Sequence, residues 1–267
     1  MNQTMLAFLL TLIAGVSTGI GSLLALFAKK TNEKFLSASL GFSAGVMIYV
    51  SMIEIFQKAK DSLSIQFGDK MGMLITILGF FGGMLVIGLI DRLVPDDKNP
   101  HDFGVNAPAQ NEADKDPAKL MRTGLVTALA IGIHNFPEGL ATFVSALQSP
   151  RLAIPIVVAI AIHNIPEGIA VSVPIYYATG DRKKAFIYSF ASGLSEPVGA
   201  LIGYLILMPI MSDAVYGILF AAVAGIMVFI SLDELLPSAR AYGEHHLSIY
   251  GLVAGMAVMA VSLWLFV

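Results

Sequence analysis

Eight long apolar segments limit what this chain can fold into more than any other feature of its sequence. Only 13% of the residues are charged and 56% are hydrophobic, whereas a soluble domain has about 25% charged residues. Each segment approaches the roughly 20 residues that a helix needs to cross a bilayer, and none alternates like a membrane strand. The sequence therefore predicts an all-α, polytopic membrane bundle. The predicted spans are residues 5–28, 36–57, 72–91, 122–147, 152–178, 185–209, 214–236 and 247–267.

The charges between the spans predict the orientation of the chain in the membrane. Twelve of the 16 Lys and Arg residues follow an odd-numbered span. Because cytoplasmic loops carry an excess of positive charge, both termini are expected outside the cell and the odd-numbered loops in the cytoplasm.

One stretch, residues 95–119, predicts a flexible cytoplasmic loop between spans three and four. It contains four prolines, many charges and almost no large apolar side chains, so it has little surface to bury in a core. It has a single histidine, His101, which is too few for a cluster that collects metal. The rest of residues 1–267 is predicted to form a single transmembrane domain.

Acidic residues inside the predicted spans are the least expected feature of so apolar a chain. They are Glu54, Glu138, Glu167, Glu196, Asp233 and Glu234. No Lys or Arg lies deep in a span to pair with them, and a charge at the bilayer centre costs about 2.5–3.5 kcal/mol. These acids are therefore expected to face inward, toward protons, a bound cation or water.

Two of these acids belong to a repeated motif, AIGIHNFPEGLA at 130–141 and AIAIHNIPEGIA at 159–170, in which nine of twelve positions are identical. On a helix, residues four apart share a face and residues three apart adjoin it. Each copy therefore presents an imidazole, an amide and a carboxylate together. These two trios are His134, Asn135 and Glu138, and His163, Asn164 and Glu167.

A proline and a glycine in each motif predict a local change in the helix. Pro137 and Pro166 lack an N–H, so the carbonyls four residues earlier lose their usual partners and the helix is expected to kink. In a membrane such backbone is tolerated where it lines a protein cavity. Gly139 and Gly168 are expected to let a neighbouring helix approach closely.

Imidazole, carboxylate and amide oxygen together favour a first-row divalent metal site. If both glutamates bridge, two ions fit side by side, and Glu196 beside Pro197 supplies a further oxygen. The alternative is a hydrogen-bonded structural network. Glu54, Asp233 and Glu234 are candidates for a path to and from the site, or else interfacial acids held by water. His245 and His246 fit a solvated turn better than a role in receiving departing ions.

Three functions fit such a site. A transporter that carries divalent metal inward by alternating access is preferred. A metal-dependent intramembrane hydrolase is disfavoured, because HExxH is missing and one His-x-x-x-Glu would have to be both ligand and base. A metal-gated channel with a fixed filter is the third hypothesis. The sequence has no G-x-x-x-x-G-K-[ST] loop, so direct use of ATP is not expected.

The tandem HNFPEG and HNIPEG, followed by SGLSEP and SLDELLP, resembles the ZIP (Zrt-, Irt-like protein) family of metal transporters over essentially the whole chain. The resemblance implies inverted repeats of three spans around the two central ones (3+2+3), with spans one, four, five and six moving against the others. It implies uptake of zinc, iron(II), manganese or similar cations across a bacterial inner membrane. No enzymatic activity, resident cofactor or nucleic acid is expected, and a homodimer is left open.

The resemblance also implies two adjacent metal positions. The first matches His134, Glu138, His163 and Glu167. The second matches Asn135, Glu138, Asn164, Glu167 and Glu196. The histidine-rich loop of many eukaryotic relatives is missing here, so metal sensing by such a loop is not expected.

Overall fold

The computed structural model describes residues 2–27, 33–93, 117–148, 150–241 and 245–266, and all regular structure among them is helical. Two π-helical segments, Val50–Ile55 and Ser231–Leu235, join α2 to α3 and α9 to α10. A 3₁₀ turn, Met208–Ile210, follows α8. The α-helices are α1 (Gln3–Phe27), α2 (Glu33–Tyr49), α3 (Phe56–Phe67), α4 (Asp69–Leu93), α5 (Pro117–Gln148), α6 (Pro150–Thr179), α7 (Arg182–Gly193), α8 (Ser195–Leu207), α9 (Asp213–Ile230), α10 (Leu236–Ala241) and α11 (His245–Phe266).

The predicted polytopic helical bundle is confirmed. Seven helices of the described chain are long and apolar enough to cross a membrane, and they correspond to seven predicted spans. The eighth predicted span, 122–147, lies within α5. This helix is long, at 32 residues, but it is less apolar than the other seven spans. The chain is an integral membrane protein.

The second span is longer than its sequence predicts. The helix does not end near residue 57 but continues through the first π-helical segment to Phe67, where Gly68 with φ 78° ends it. This extension is polar on one side and buries Ala59 and Leu63 on the other. An amphipathic face of this kind keeps the chain helical beyond its apolar part.

The sixth span is interrupted, not continuous as predicted. A turn at Leu194 separates α7 from α8. Pro197 has no N–H to give to the carbonyl of Gly193, which explains the interruption. The break places Glu196 in the first turn of α8.

The loop predicted over 95–119 lies largely outside the described residues, and so does His101. Its last three residues, 117–119, belong to the start of α5.

Helix α6 lies at the centre of the bundle, with 78% of its span buried, while α4 and α11 have 22% buried and form the outer surface. Helix α6 packs on α1 and α5 packs on α8, while α2 packs on α11 and α4 on α9. These pairs follow the arrangement expected of inverted repeats, in which α5 corresponds to α6 and α2 to α9. The result places α5 and α6 side by side in the interior.

The glycine in each motif sits at a close contact between two helices. A Cβ on Gly168 would lie 1.9 Å from the carbonyl oxygen of Thr18 in α1. A Cβ on Gly139 would lie 2.1 Å from the carbonyl oxygen of Glu196 in α8. The close approach predicted for both glycines is thus confirmed, and it brings α1 and α8 against the central pair.

Candidate metal centre

The two polar trios meet between α5 and α6 in the interior of the bundle. All six side chains are 0–1% exposed, and so is Glu196 of α8. Both helices continue through Pro137 and Pro166, so any opening is confined to the hydrogen bond that each proline lacks. Two imidazoles, two amides and three carboxylates are therefore buried together where α5, α6 and α8 meet.

The imidazoles and carboxylates pair across the two helices. His134 Nε2 lies 3.2 Å from Glu167 Oε1, and His163 Nε2 lies 3.2 Å from Glu138 Oε1. The second contact also includes Glu138 Oε2 at 3.4 Å. The sequence placed each histidine on the same face as the glutamate of its own helix. The structure adds that each histidine contacts the glutamate of the other helix.

A third helix joins the pair through Asn164. Its Nδ2 donates to Glu196 Oε1 and, at 2.9 Å, to the carbonyl oxygen of Ala14 in α1. Glu196 lies in the first turn of α8, where the partial positive charge of a helix N-terminus favours a carboxylate. The break after α7 thus presents this acid to the central pair.

Many polar atoms in this cluster have no hydrogen-bond partner, although they are buried. A buried donor or acceptor left without a partner costs about 1–3 kcal/mol, so the cluster is arranged for a ligand or for exchange of partners. Among the described residues these atoms are His134 Nδ1, Asn135 Nδ2 and Oδ1, His163 Nδ1, Asn164 Oδ1, Glu167 Oε2 and Glu196 Oε2.

The side chains are not already arranged as a closed metal cage. Within the part of the chain that the structure describes, no three His or acidic side chains are grouped as a metal would require. The histidines are instead paired with glutamates. A cation entering the cluster would replace these pairs, because imidazole and carboxylate are themselves metal ligands.

Residues 94–263 match the sequence profile of the family described as ZIP Zinc transporter. The chain is 65% identical to the zinc transporter ZupT of Clostridium perfringens, over all of this chain and 98% of that protein. It is 65% identical to the zinc transporter ZupT of Streptococcus mutans, over 98% of this chain and 97% of that protein. The chain belongs to the ZIP zinc transporter family. This is a family of transporters and not a class of enzymes.

Of the acids predicted along a path, Glu234 is the most deeply buried. It lies in the second π-helical segment and is 4% exposed. Asp233 beside it is half-buried. A role for these two acids in a metal path stays a prediction.

Glu54 has a different environment from the one predicted. It lies in the first π-helical segment, and its Oε1 is 2.8 Å from Lys58 Nζ in α3. The prediction that the acids inside the spans have no basic partner is wrong for Glu54. The cause is the extension of the second span, which turns Lys58 from a loop residue into one on the next helical turn.

The two remaining histidine candidates lie at the start of the last helix. His245 begins α11, and the ring of His246 stacks on Tyr250 with centroids 6.2 Å apart. A role for them in receiving metal stays a prediction.

Two polar residues near the centre are not predicted from the sequence. Ser43 of α2 is buried, and its hydroxyl donates to the carbonyl of His163 at 3.3 Å. Thr142 of α5 is 1% exposed and lies one turn beyond Glu138. The spacing of Thr142 from Glu138 could have revealed it, whereas a lone serine in an apolar helix gives no such signal.

One apolar groove is separate from this cluster. It has a volume of about 750 Å³, lies between α4, α5 and α7, and is lined by apolar side chains such as Ile90, Leu129 and Phe136. Several of these side chains are exposed on the outside of the bundle, so the groove faces lipid. We therefore place the functional site in the polar cluster.

Proposed function

We propose that this protein carries zinc and other divalent cations, including iron(II) and manganese, through a binuclear site between α5, α6 and α8. The observation that carries the proposal is the buried cluster of His–Glu cross-pairs with many unpartnered polar atoms. The sequence has no Lys or Arg from 123 to 150 or from 152 to 181, so no Lys or Arg of α5 or α6 pairs with the glutamates at this level. The relatives named as zinc transporters support zinc as one substrate.

The residues of the cluster would divide between two positions. The first position would take nitrogen and oxygen from His134, Glu138, His163 and Glu167. The second position would take oxygen from Asn135, Glu138, Asn164, Glu167 and Glu196. The two glutamates belong to both and would bridge the ions. Nitrogen ligands favour zinc, and the more oxygen-rich second position widens the range toward manganese.

The packing of the helices supports alternating access. Helices α1, α5, α6, α7 and α8 form one group of packed helices, while among the others α2 pairs with α11 and α3, α4 and α9 pack together. Fewer contacts, chiefly α2 with α6 and α5 with α9, join the two groups. The first group contains spans one, four, five and six, and we propose that it moves against the second with the bound cation.

The proposed direction is inward, across a bacterial inner membrane, with both termini outside. In this orientation the α5–α6 connection faces outward, and the end of α9 with Asp233 and Glu234 faces the cytoplasm. A cation would be captured on the outer side and would leave past these acids. The ligands bind metal in their deprotonated forms, so proton exchange accompanies capture and release. Assembly as a homodimer is part of the same hypothesis and does not affect the site.

The experiment that tests this function is metal uptake into proteoliposomes. The purified wild type should show saturable zinc uptake at transporter rates, and Glu138→Ala should abolish it while remaining folded. Asp213→Ala is the matched control, because Asp213 is an exposed acid in the first turn of α9, and it should transport normally. Zinc flux that needs neither glutamate, or resolvable single-channel currents, would contradict the proposal.

A further inference from the structure

A small enclosed cavity lies directly beside Glu138, on the side of the metal centre toward the α5–α6 connection. Its volume is about 10 Å³, which is room for roughly one water-sized particle. The orientation proposed above makes this the outer side. The cavity is thus the immediate approach to the centre from outside, in a conformation that is nearly closed.

The polar part of this cavity comes from one face of α5. Glu138, Thr142 and Ser145 all line it, and their spacing of four and then three residues aligns them along the helix. The other walls are apolar. They are formed by Val50, Ile55, Ala141, Ile156, Ile160, Phe220 and Met227.

Thr142 differs from Thr11 and Thr76, two other buried threonines of this bundle, and shares an unpartnered Oγ1 with Thr18. The hydroxyls of Thr11 and Thr76 donate to the carbonyl four residues earlier in their own helix, at 3.0 and 2.8 Å. A helix offers this bond to any threonine in it. Thr142 is equally buried, yet its Oγ1 has no hydrogen-bond partner. Since burying a hydroxyl without a partner is unfavourable, its position in the cavity indicates a ligand that binds there.

We propose that Thr142, with Ser145 one turn further out, is an outer step on the metal path, whose hydroxyl oxygens replace water on a divalent cation before it reaches Glu138. The apolar residues of the other walls carry no side-chain oxygen. Neutral oxygens bind divalent cations more weakly than carboxylates, so the step favours passage over retention. This inference rests on the proposed transport function and adds a residue that affects its rate and selectivity.

The ligand chemistry predicts which cation depends on this step most. Manganese prefers oxygen ligands, whereas zinc also binds imidazole strongly. Loss of the Thr142 hydroxyl should therefore reduce manganese transport more than zinc transport. Binding of zinc at the inner centre should be unaffected, because its ligands remain.

The test compares Thr142→Val, which keeps the shape and removes the hydroxyl, with Thr142→Ser, which keeps the hydroxyl. Thr76→Val is the matched control, since its hydroxyl bonds within α4. Zinc and manganese uptake into proteoliposomes would be measured over a range of concentrations, together with equilibrium zinc binding to the purified protein. We expect Thr142→Val to lower kcat/KM for zinc roughly threefold to tenfold, and that for manganese further. Thr142→Ser should restore most of the loss, and zinc affinity should not change.

Two results would overturn the inference while the transport function stands. One is that Thr142→Val takes up zinc and manganese as well as the wild type does, with no difference from Thr76→Val. The other is an equal loss of zinc affinity and transport that Thr142→Ser does not restore, which would assign Thr142 a structural role. Absence of uptake by the wild type would instead contradict the proposed function itself.

Discussion

The two copies of the HNxPEG motif have nearly the same sequence, but their surroundings in the bundle differ. In the second copy, Asn164 donates to the carbonyl of Ala14 and to Glu196. In the first copy, neither polar atom of the Asn135 side chain has a partner. The asymmetry arises because α6 packs on α1 while α5 packs on α8. Repetition therefore gives two similar ligand sets, and the neighbouring helices give them different roles.

The His–Glu pairs, by contrast, are alike in the two copies. Each joins a ring nitrogen of one helix to a carboxylate oxygen of the other at 3.2 Å. The comparison thus predicts that the glutamates are equivalent, the histidines nearly so, and the asparagines distinct.

The largest effect is expected from the shared glutamates. Glu138→Ala and Glu167→Ala should each reduce zinc uptake by more than about 100-fold, beyond the 10–100-fold typical of outer-shell partners, because each acid contributes to both metal positions. Proteoliposome uptake measures the loss, and surface expression shows that the protein is made. Normal uptake by either variant would remove the shared-ligand arrangement and break the equivalence.

The glycines that follow the glutamates should be the next most sensitive positions. Gly139→Ala and Gly168→Ala each place a Cβ about 2 Å from a backbone oxygen of α8 or α1, so the helices must separate. We expect each to destabilise the protein by about 1–3 kcal/mol, measured as a lower Tm in detergent.

Gly132→Ala is the control for these two variants. Gly132 lies on the same helix as Gly139, but a Cβ there meets nothing within 4 Å. Replacing it should leave Tm unchanged or slightly higher. A similar fall in Tm for all three variants would show that the cause is not the close helix contacts.

The histidines should affect selectivity more than they affect total transport. His163→Ala should lower zinc uptake roughly tenfold, and manganese uptake less, because imidazole matters less to the harder ion. His134→Ala should do the same, since its pairing is equivalent. Uptake of both metals over a range of concentrations measures this, and equal losses for the two ions would contradict the ranking.

The smallest and most informative difference is expected between the asparagines. Asn164→Ala removes two hydrogen bonds and should lower the stability of the metal-free protein by about 1–2 kcal/mol. Asn135→Ala removes no hydrogen bond and should leave that stability unchanged, while lowering metal affinity. Denaturation of the metal-free variants together with zinc titration separates the two, and equal stability loss would refute the asymmetry.

Much of this architecture was predictable from the sequence because its signals are local. Apolar length predicts the spans, and spacing along a helix places each polar trio on one face. The extension of the second span is not predicted, because the sequence of an amphipathic helix beyond the membrane resembles that of a charged loop. The break before Glu196 is not evident from the sequence, because a proline is also compatible with a continuous helix, as Pro137 and Pro166 show.

What the sequence could not predict depends on contacts between helices. The cross-pairing of His134 with Glu167 requires the relative rotation of α5 and α6. The partners of Asn164 come from α1 and α8, far away along the chain. The Thr76 hydroxyl donates to a carbonyl of its own helix and that of Thr142 does not, a difference that the sequence does not show.

A structure of the zinc-loaded protein with anomalous scattering tests the binuclear site most directly. The account predicts two zinc peaks between α5 and α6, about 3.5–4 Å apart, both in contact with Glu138 and Glu167. Zinc bound elsewhere, with both histidines still paired to the opposite glutamates, would contradict it.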